Sequence, residues 1–443
     1  MYKKIIVSKL FLFAAAFSLT ILLAFCSKDE NPIDSNQQYS QIDGRLTGGS
    51  GFNKLLKNSS AEGIEGATVT VYKVEADGSL NSVSNGTVQT DAQGNFSIQT
   101  TANAESNLLV ECVKGSSKWQ AIVSGEVKYG QTTHCPPIND ETTEEAKTYS
   151  RVKSEGKSST VTYSDIRMII NAQLAQQIKA DESIRAQVIS ALETAANARL
   201  SYLLSSDVSA SSSQLQAVVN ADAQAQVNYD NDLYVSNDSQ ASAEVAYSNY
   251  CNTMISAYTN TGLKVESAAK AIQIAAKAFV KAMVSANSQT KSACEQSSAK
   301  ISAYFIAKAL EENFKAMGAT QAQINAVITA GAALKSTIVT STTESERANA
   351  FVKYHDDVLV QLKAAMNSYA QAITTADSAI NSAAGAKAIL ISSLNVAASP
   401  ALIVQAYLTF FGAVQTVVQT ALSNATQAQV NSATQALILA NIY

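Results

Sequence analysis

Val265-Glu266-Ser267-Ala268-Ala269-Lys270-Ala271-Ile272-Gln273-Ile274-Ala275-Ala276-Lys277-Ala278-Phe279-Val280-Lys281-Ala282-Met283 decides what most of this chain is. Val265, Ala269, Ile272, Ala276, Phe279 and Met283 recur at alternating spacings of four and three, which is the seam of a helix packed in a bundle or coiled coil. Lys264, Lys270, Lys277 and Lys281 fall mostly off that seam. Phe351, Val358, Leu362, Ala365, Tyr369 and Ala372 trace a second one, with His355 on it as a core residue and Asp356 and Asp357 beside it as a solvated face. No Pro occurs between Pro137 and Pro400, only six Gly follow Gly130, and Ala, the best helix former, is abundant. Residues 161–443 are therefore expected to be all helical, as an up-down bundle or an elongated stalk.

Local signals divide this region. Thr320-Gln321-Ala322-Gln323 and Ser341-Thr342-Thr343-Glu344 fit capping boxes. Ser399-Pro400 fits an N-cap followed by Pro in the first turn, and Gly262 and Gly318 sit where helices can end. Gln224-Ala225-Gln226-Val227-Asn228 recurs at Gln321–Asn325 and at Gln427–Asn431, a hint of duplication.

Upstream the composition changes. Twelve of the 18 Gly lie between Gly44 and Gly130, so residues 41–138 carry frequent turns. Thr68–Val74 and Asn95–Ile98 alternate, and Leu108–Val113 and Trp119–Val123 are further strand-like runs. About seven short strands predict a small all-β antiparallel sandwich. Residues 139–160 are polar and charged and read as a linker. The fold class expected is thus multidomain, a small β sandwich followed by a large helical bundle.

Ile42-Asp43-Gly44-Arg45-Leu46, Gly63-Ile64-Glu65-Gly66-Ala67-Thr68-Val69 and Thr90-Asp91-Ala92-Gln93-Gly94-Asn95-Phe96-Ser97-Ile98 resemble a carboxypeptidase regulatory-like (transthyretin-like) domain. The resemblance covers about a fifth of the chain and implies a non-catalytic sandwich, of a fold group that includes carbohydrate-binding modules. Ser50 to Glu62 reads as an inserted loop. A sugar site would draw on Trp119, the only Trp, with Tyr72 and Tyr129; the competing reading packs Trp119 in or beside the core.

At the N-terminus, Lys3, Lys4 and Lys9 precede an apolar run from Leu10 to Phe25, shorter than a membrane-spanning helix. Leu23-Ala24-Phe25-Cys26 resembles a bacterial lipobox, which makes residues 1–25 a signal peptide and Cys26 the lipidated residue; Phe25 departs from the pattern, where Gly, Ala or Ser is usual. Ser27-Lys28-Asp29-Glu30 resembles the surface-export signal of Bacteroidota lipoproteins, and residues 26–40 read as a tether. The resemblance implies anchoring in the outer membrane through Cys26, facing outward. Four Cys then remain, an even number in an oxidising exterior. Cys112 and Cys135 are paired as one expected bridge. Cys251 and Cys294 are the other candidates, against which helix geometry argues.

Charge supplies the exclusions. Lys plus Arg is 32 and Asp plus Glu is 36, a net charge of −4, which excludes binding nucleic acid through bulk charge. No His-Glu-x-x-His, Gly-x-Ser-x-Gly or Cys-x-x-Cys occurs, and Gly156-Lys157-Ser158, Ser288-x-x-Lys291 and Ser297-x-x-Lys300 are chance-level matches. No enzyme, cofactor or metal site is expected. The last 56 residues, 388–443, hold no Asp, Glu, Lys or Arg. They are either central helices of the bundle or a hairpin that enters a membrane, as in helical pore-forming proteins. The expected function is a surface-exposed lipoprotein that binds a protein or glycan partner, or self-associates, through its helices.

Overall fold

Eight strands fold the Gly-rich part, each short because turn residues interrupt it. The strands are β1 (Ser40–Arg45), β2 (Thr68–Val74), β3 (Leu80–Ser82), β4 (Val88–Gln89), β5 (Asn95–Thr100), β6 (Leu108–Lys114), β7 (Ser117–Val123) and β8 (Thr132–His134). This computed structural model describes residues 39–48, 63–236 and 240–443, which belong to one compact unit. The lipobox, Cys26 and the inserted segment Ser50 to Glu62 lie outside the described residues. One sheet runs β5-β1-β8 and the other β3-β2-β6-β7, with β4 beside β2. Their inner faces meet in a core of Ile42, Val69, Val71, Phe96, Ile98, Val110 and Ala121. The sandwich is not wholly antiparallel, because β8 pairs parallel to β1. Between these two strands the chain passes through the other sheet and through β5, the antiparallel neighbour of β1 on its other side.

The Asp91–Phe96 turn behaves as its residues predict. The Asp91 carboxylate accepts from the Gln93 and Asn95 backbone N–H groups, and Gly94 takes φ +79. A Cβ there would stand 2.2 Å from the Leu46 carbonyl oxygen, so the position requires Gly for space as well as for backbone conformation.

Fourteen helices follow among the described residues: α1 (Asp140–Ser154), α2 (Tyr163–Ile169), α3 (Ala172–Ala180), α4 (Ser183–Leu203), α5 (Ser212–Val235), α6 (Gln240–Asn260), α7 (Val265–Ala286), α8 (Lys291–Ala316), α9 (Gln321–Thr340), α10 (Glu344–Ala365), α11 (Ala370–Ile380), α12 (Ala386–Val396), α13 (Pro400–Ala421) and α14 (Gln427–Asn441). They form a bundle, with α4, α8, α13 and α14 all packed on α7. The seam residues Ala269, Ile272, Ala276, Phe279 and Met283 are buried as expected, but α7 is enclosed further round, and Lys270 is buried as well. Thr320, Ser399 and Thr426 are N-caps, and Gly262 and Gly318 end helices in the left-handed region. The box placed at Ser341 is shifted by two residues: Thr343 is the cap and Glu346 its partner.

The expected linker at 139–160 is instead mostly α1. Asn139 caps it in a reciprocal box with Thr142, and α1 lies along β7. Its polar residues point inward: the Thr143 hydroxyl accepts from the Gln120 N–H, and Glu144 and Glu145 are buried. The outer face of the second sheet thereby joins the helical core, since Val74, Leu109 and Ile122 pack in the same cluster as Tyr163, Ile166 and Val188. Charge completes the junction. Arg167 on α2 pairs with Asp230 on α5, and the same carboxylate accepts from the Ser124 N–H at the end of β7 at 3.0 Å. His134 stacks on Tyr234 of α5 with centroids 4.1 Å apart. Sandwich and helices are therefore joined by a continuous buried interface.

The three Gln-Ala-Gln repeats share a local contact rather than an equivalent place. In each, the first Gln donates to the Asn four residues on, at 3.2, 2.8 and 2.8 Å. The second and third open helices after a Thr cap, whereas the first lies inside α5.

The expected Cys112–Cys135 disulfide is absent, and Cys251 and Cys294 are unbridged as helix geometry argued: all four are free and buried thiols. Cys112 and Cys135 enter the sandwich core from different sheets and pack there as small apolar groups. Cys251 lies near Lys300, whereas Cys294 stands six residues before Lys300 on the same helix, about 9 Å along its axis. Burial pushes all four thiols up, Cys294 to about 12.

Candidate functional site

The aromatics proposed for sugar binding are not brought together. Trp119 is opposite Cys112 and is half-buried against the sandwich core. Tyr72 lies on the opposite face of the same sheet, against the helical core. Tyr129 is exposed in the β7–β8 connection, where its hydroxyl donates to the Thr101 carbonyl at 3.1 Å. No common platform results.

The Ser-Lys pairs are likewise structural. The Ser297 hydroxyl donates to the Ile169 carbonyl at 2.7 Å, and Lys300 pairs with Glu244 at 3.2 Å. Ser288 opens a three-residue 3-10 turn ahead of α8. His355 is held between Asp356 and Asp377, at 3.0 and 2.9 Å, and these carboxylates raise its pKa against the opposing effect of burial. Asp356 is solvated as expected, while Asp377 also accepts from Asn381 and Asn441 and so ties α10, α11 and α14. Among the described residues no group of three or more His, Cys, Asp or Glu could hold a metal ion.

A large groove opens where α6, α7, α8, α13 and α14 meet. It encloses about 710 Å³, within the size range of sites for small molecules. Side-chain amides and hydroxyls dominate it: Ser256, Thr259, Asn313, Gln415, Asn431 and Gln435. Asp207, Lys264, Glu266, Lys308 and Glu312 supply charges of both signs, and Lys308 is already paired with Glu311 and Glu312. Asn313 is 3% exposed; its amide donates to Glu266 at 3.4 Å, while its Oδ1 accepts no hydrogen bond from the described residues. A buried acceptor without a donor costs stability, so Asn313 is an unsatisfied polar group in the wall of the groove. Such a lining offers hydrogen bonds of both senses without a strong field, and suits a neutral polar ligand better than an ion. No motif foretold it, because it is assembled from five helices by isolated Asn, Gln, Ser and Thr residues.

The charge-free tail contributes to this groove through Gln415, Asn431 and Gln435. By length and composition α13 could cross a membrane. In this fold one of its faces, with Ile403, Tyr407, Phe410, Phe411, Val414 and Val418, is buried in the bundle. Its other face carries Gln405, Thr409, Thr416 and Thr420. Comparison with known proteins finds no matching family model, no matching curated protein and no matching solved structure.

Proposed function

We propose that this chain is a non-enzymatic lipoprotein of the outer membrane, anchored through Cys26 and facing outward, whose helical region binds a neutral polar ligand. The ligand class we favour is a glycan or a short segment of polypeptide. One observation carries the binding reading: the groove of about 710 Å³ lined by amides and hydroxyls, with Asn313 buried beside it and short of a donor. The anchor reading rests on the resemblance of Leu23-Ala24-Phe25-Cys26 to a lipobox and of Ser27-Lys28-Asp29-Glu30 to an export signal. More than one acyl chain on Cys26 gives a stable attachment. The helices, rather than the β sandwich, are the favoured recognition element, because Trp119, Tyr72 and Tyr129 do not share a surface.

A photo-reactive residue at Gln415 or at Asn431, introduced into the full chain on intact cells, tests the binding reading. The expected result is a discrete adduct that is absent when the same residue replaces Val219, which is exposed on α5 outside the groove. Identical labelling at all three positions refutes it. Protease added to intact cells tests orientation: a protected chain, alongside a shaved surface protein, refutes the outward assignment. Cys26→Ala should release the protein from the membrane fraction.

A further inference from the structure

A second cleft, remote in character from the groove, lies where α2, α5, α6 and α8 converge near the sandwich. It encloses about 70 Å³ and is walled by Glu141, Arg167, Tyr229, Glu244, Tyr247 and Lys300. We propose that this cleft binds a small zwitterion carrying one carboxylate and one ammonium group, the chemistry of the simplest amino acids.

Size sets the first limit. A water-sized occupant needs about 10–15 Å³ of such space, so the cleft holds roughly five or six heavy atoms. That is too little to enclose a sugar or a peptide and fits glycine or alanine. Charge sets the second. The wall has two cations, Arg167 and Lys300, and two carboxylates, Glu141 and Glu244, with Asp230 behind Arg167. A lone anion would meet those carboxylates. A lone cation would find the aromatic faces taken, since Arg167 lies 4.6 Å from the Tyr229 centroid and Lys300 4.4 Å from that of Tyr247. A molecule with both charges meets neither obstacle.

Hydrogen bonding points the same way. The Arg167 side chain is 5% exposed, with Nη1 engaged by Asp230 and Nη2 buried without a hydrogen-bond partner among the described residues, so it acts on the cleft through its charge. Lys300 spends one contact on Glu244 and remains about one-third exposed. A ligand carboxylate accepts from Lys300, with the buried Arg167 charge behind the cleft wall adding to the attraction. The ammonium, one carbon away, donates to the Glu244 carboxylate, which already stands 3.2 Å from Lys300. Nothing in this site depends on the larger groove, so the two can fail separately.

Titration calorimetry of the full chain with glycine and with alanine is the test, with acetate and methylammonium as the two half-ligands. Saturable binding of glycine or alanine is expected, with each half-ligand at least about tenfold weaker. Lys300→Gln should weaken glycine binding about tenfold while leaving the Arg167–Asp230 pair in place. Ala243→Leu, at a buried position of the cleft wall, should abolish binding by filling the space without changing charge. Circular dichroism verifies that both variants are folded. Absence of saturable binding to the unmodified chain in the millimolar range, acetate binding as tightly as glycine, or folded Ala243→Leu binding undiminished would each overturn the proposal.

Discussion

Glu145 on α1 should be protonated at neutral pH, and Glu145→Gln should therefore stabilise the protein. The carboxyl is 2% exposed, and burial carries its pKa from 4.5 to about 8, against the opposing pull of Arg167. Its Oε2 accepts from the Tyr163 hydroxyl at 3.0 Å, a bond that a Gln side-chain carbonyl can also accept. In the unfolded chain Glu145 ionises near pH 4.5, whereas the folded chain holds its proton until about pH 8. Protons bound by the native state and not by the unfolded state make stability fall with rising pH. The contribution is thus complete below pH 4.5 and is lost progressively up to about pH 8. At about 1.4 kcal/mol per pH unit, the loss between pH 4.5 and 7 is about 3 kcal/mol. Gln has no proton to release, so the variant escapes that loss. Urea denaturation followed by circular dichroism, with both proteins at pH 4.5, 6, 7 and 8, measures the difference. The two should agree near pH 4.5, and the variant should lead by about 2–3 kcal/mol at pH 7. A pH-independent difference, or a less stable variant at pH 7, would mean that Glu145 is ionised and balanced by Arg167, and would refute the reasoning.

The neighbouring pair gives the opposite sign. Asp230→Ala leaves the Arg167 charge buried and removes the acceptor of the Ser124 N–H, so it should cost about 3–5 kcal/mol in the same denaturation assay. His355 has a raised pKa in the folded state, so its contribution is complete below about pH 6.5 and is lost as pH rises through the folded value. A His355→Phe variant should flatten that part of the stability profile. Cys112, Cys135, Cys251 and Cys294 should resist iodoacetamide in the native protein and all react after unfolding, with the melting temperature indifferent to reductant; a native mass consistent with a bridge would contradict the free thiols.

Periodicity made much of this fold legible. The α7 seam, the Thr320 and Ser399 caps and the Asp91–Gly94 turn are local patterns in which neighbours in sequence remain neighbours in space. Where the partner is distant, the same reasoning fails. Asp140–Ser154 has the composition of a linker, yet Glu144 is buried because Arg185, 41 residues on, pairs with it, and Thr143 is buried because Gln120 needs an acceptor. No local rule distinguishes a solvated Glu-Glu from one whose partners arrive later. Cysteine parity failed for a related reason: an even number of thiols carries no information on distance, and these four are packed as apolar groups. The Arg167 cleft and the Asn313 groove were equally hidden, since each gathers single residues from four or more elements.

The charge-free tail is the case in which pattern and partner must be read together. The lysines of α7 that fall off its seam are the groups the tail meets. Lys270 lies 4.4 Å from the Phe411 centroid and Lys277 3.9 Å from that of Tyr443. Lys281 donates to the Leu394 and Asn395 carbonyls, at the end of α12, where a helix dipole favours a cation. Burial lowers the pKa of Lys270 and brings that of Lys277 down to about 8. A tail bearing its own lysines would repel this flank, and one bearing carboxylates would need to desolvate them beside aromatic rings. Aromatic faces and helix-end carbonyls accept the same cations at a smaller desolvation cost. The absence of charge over residues 388–443 is thereby complementary to the cationic flank of α7 on which this tail packs.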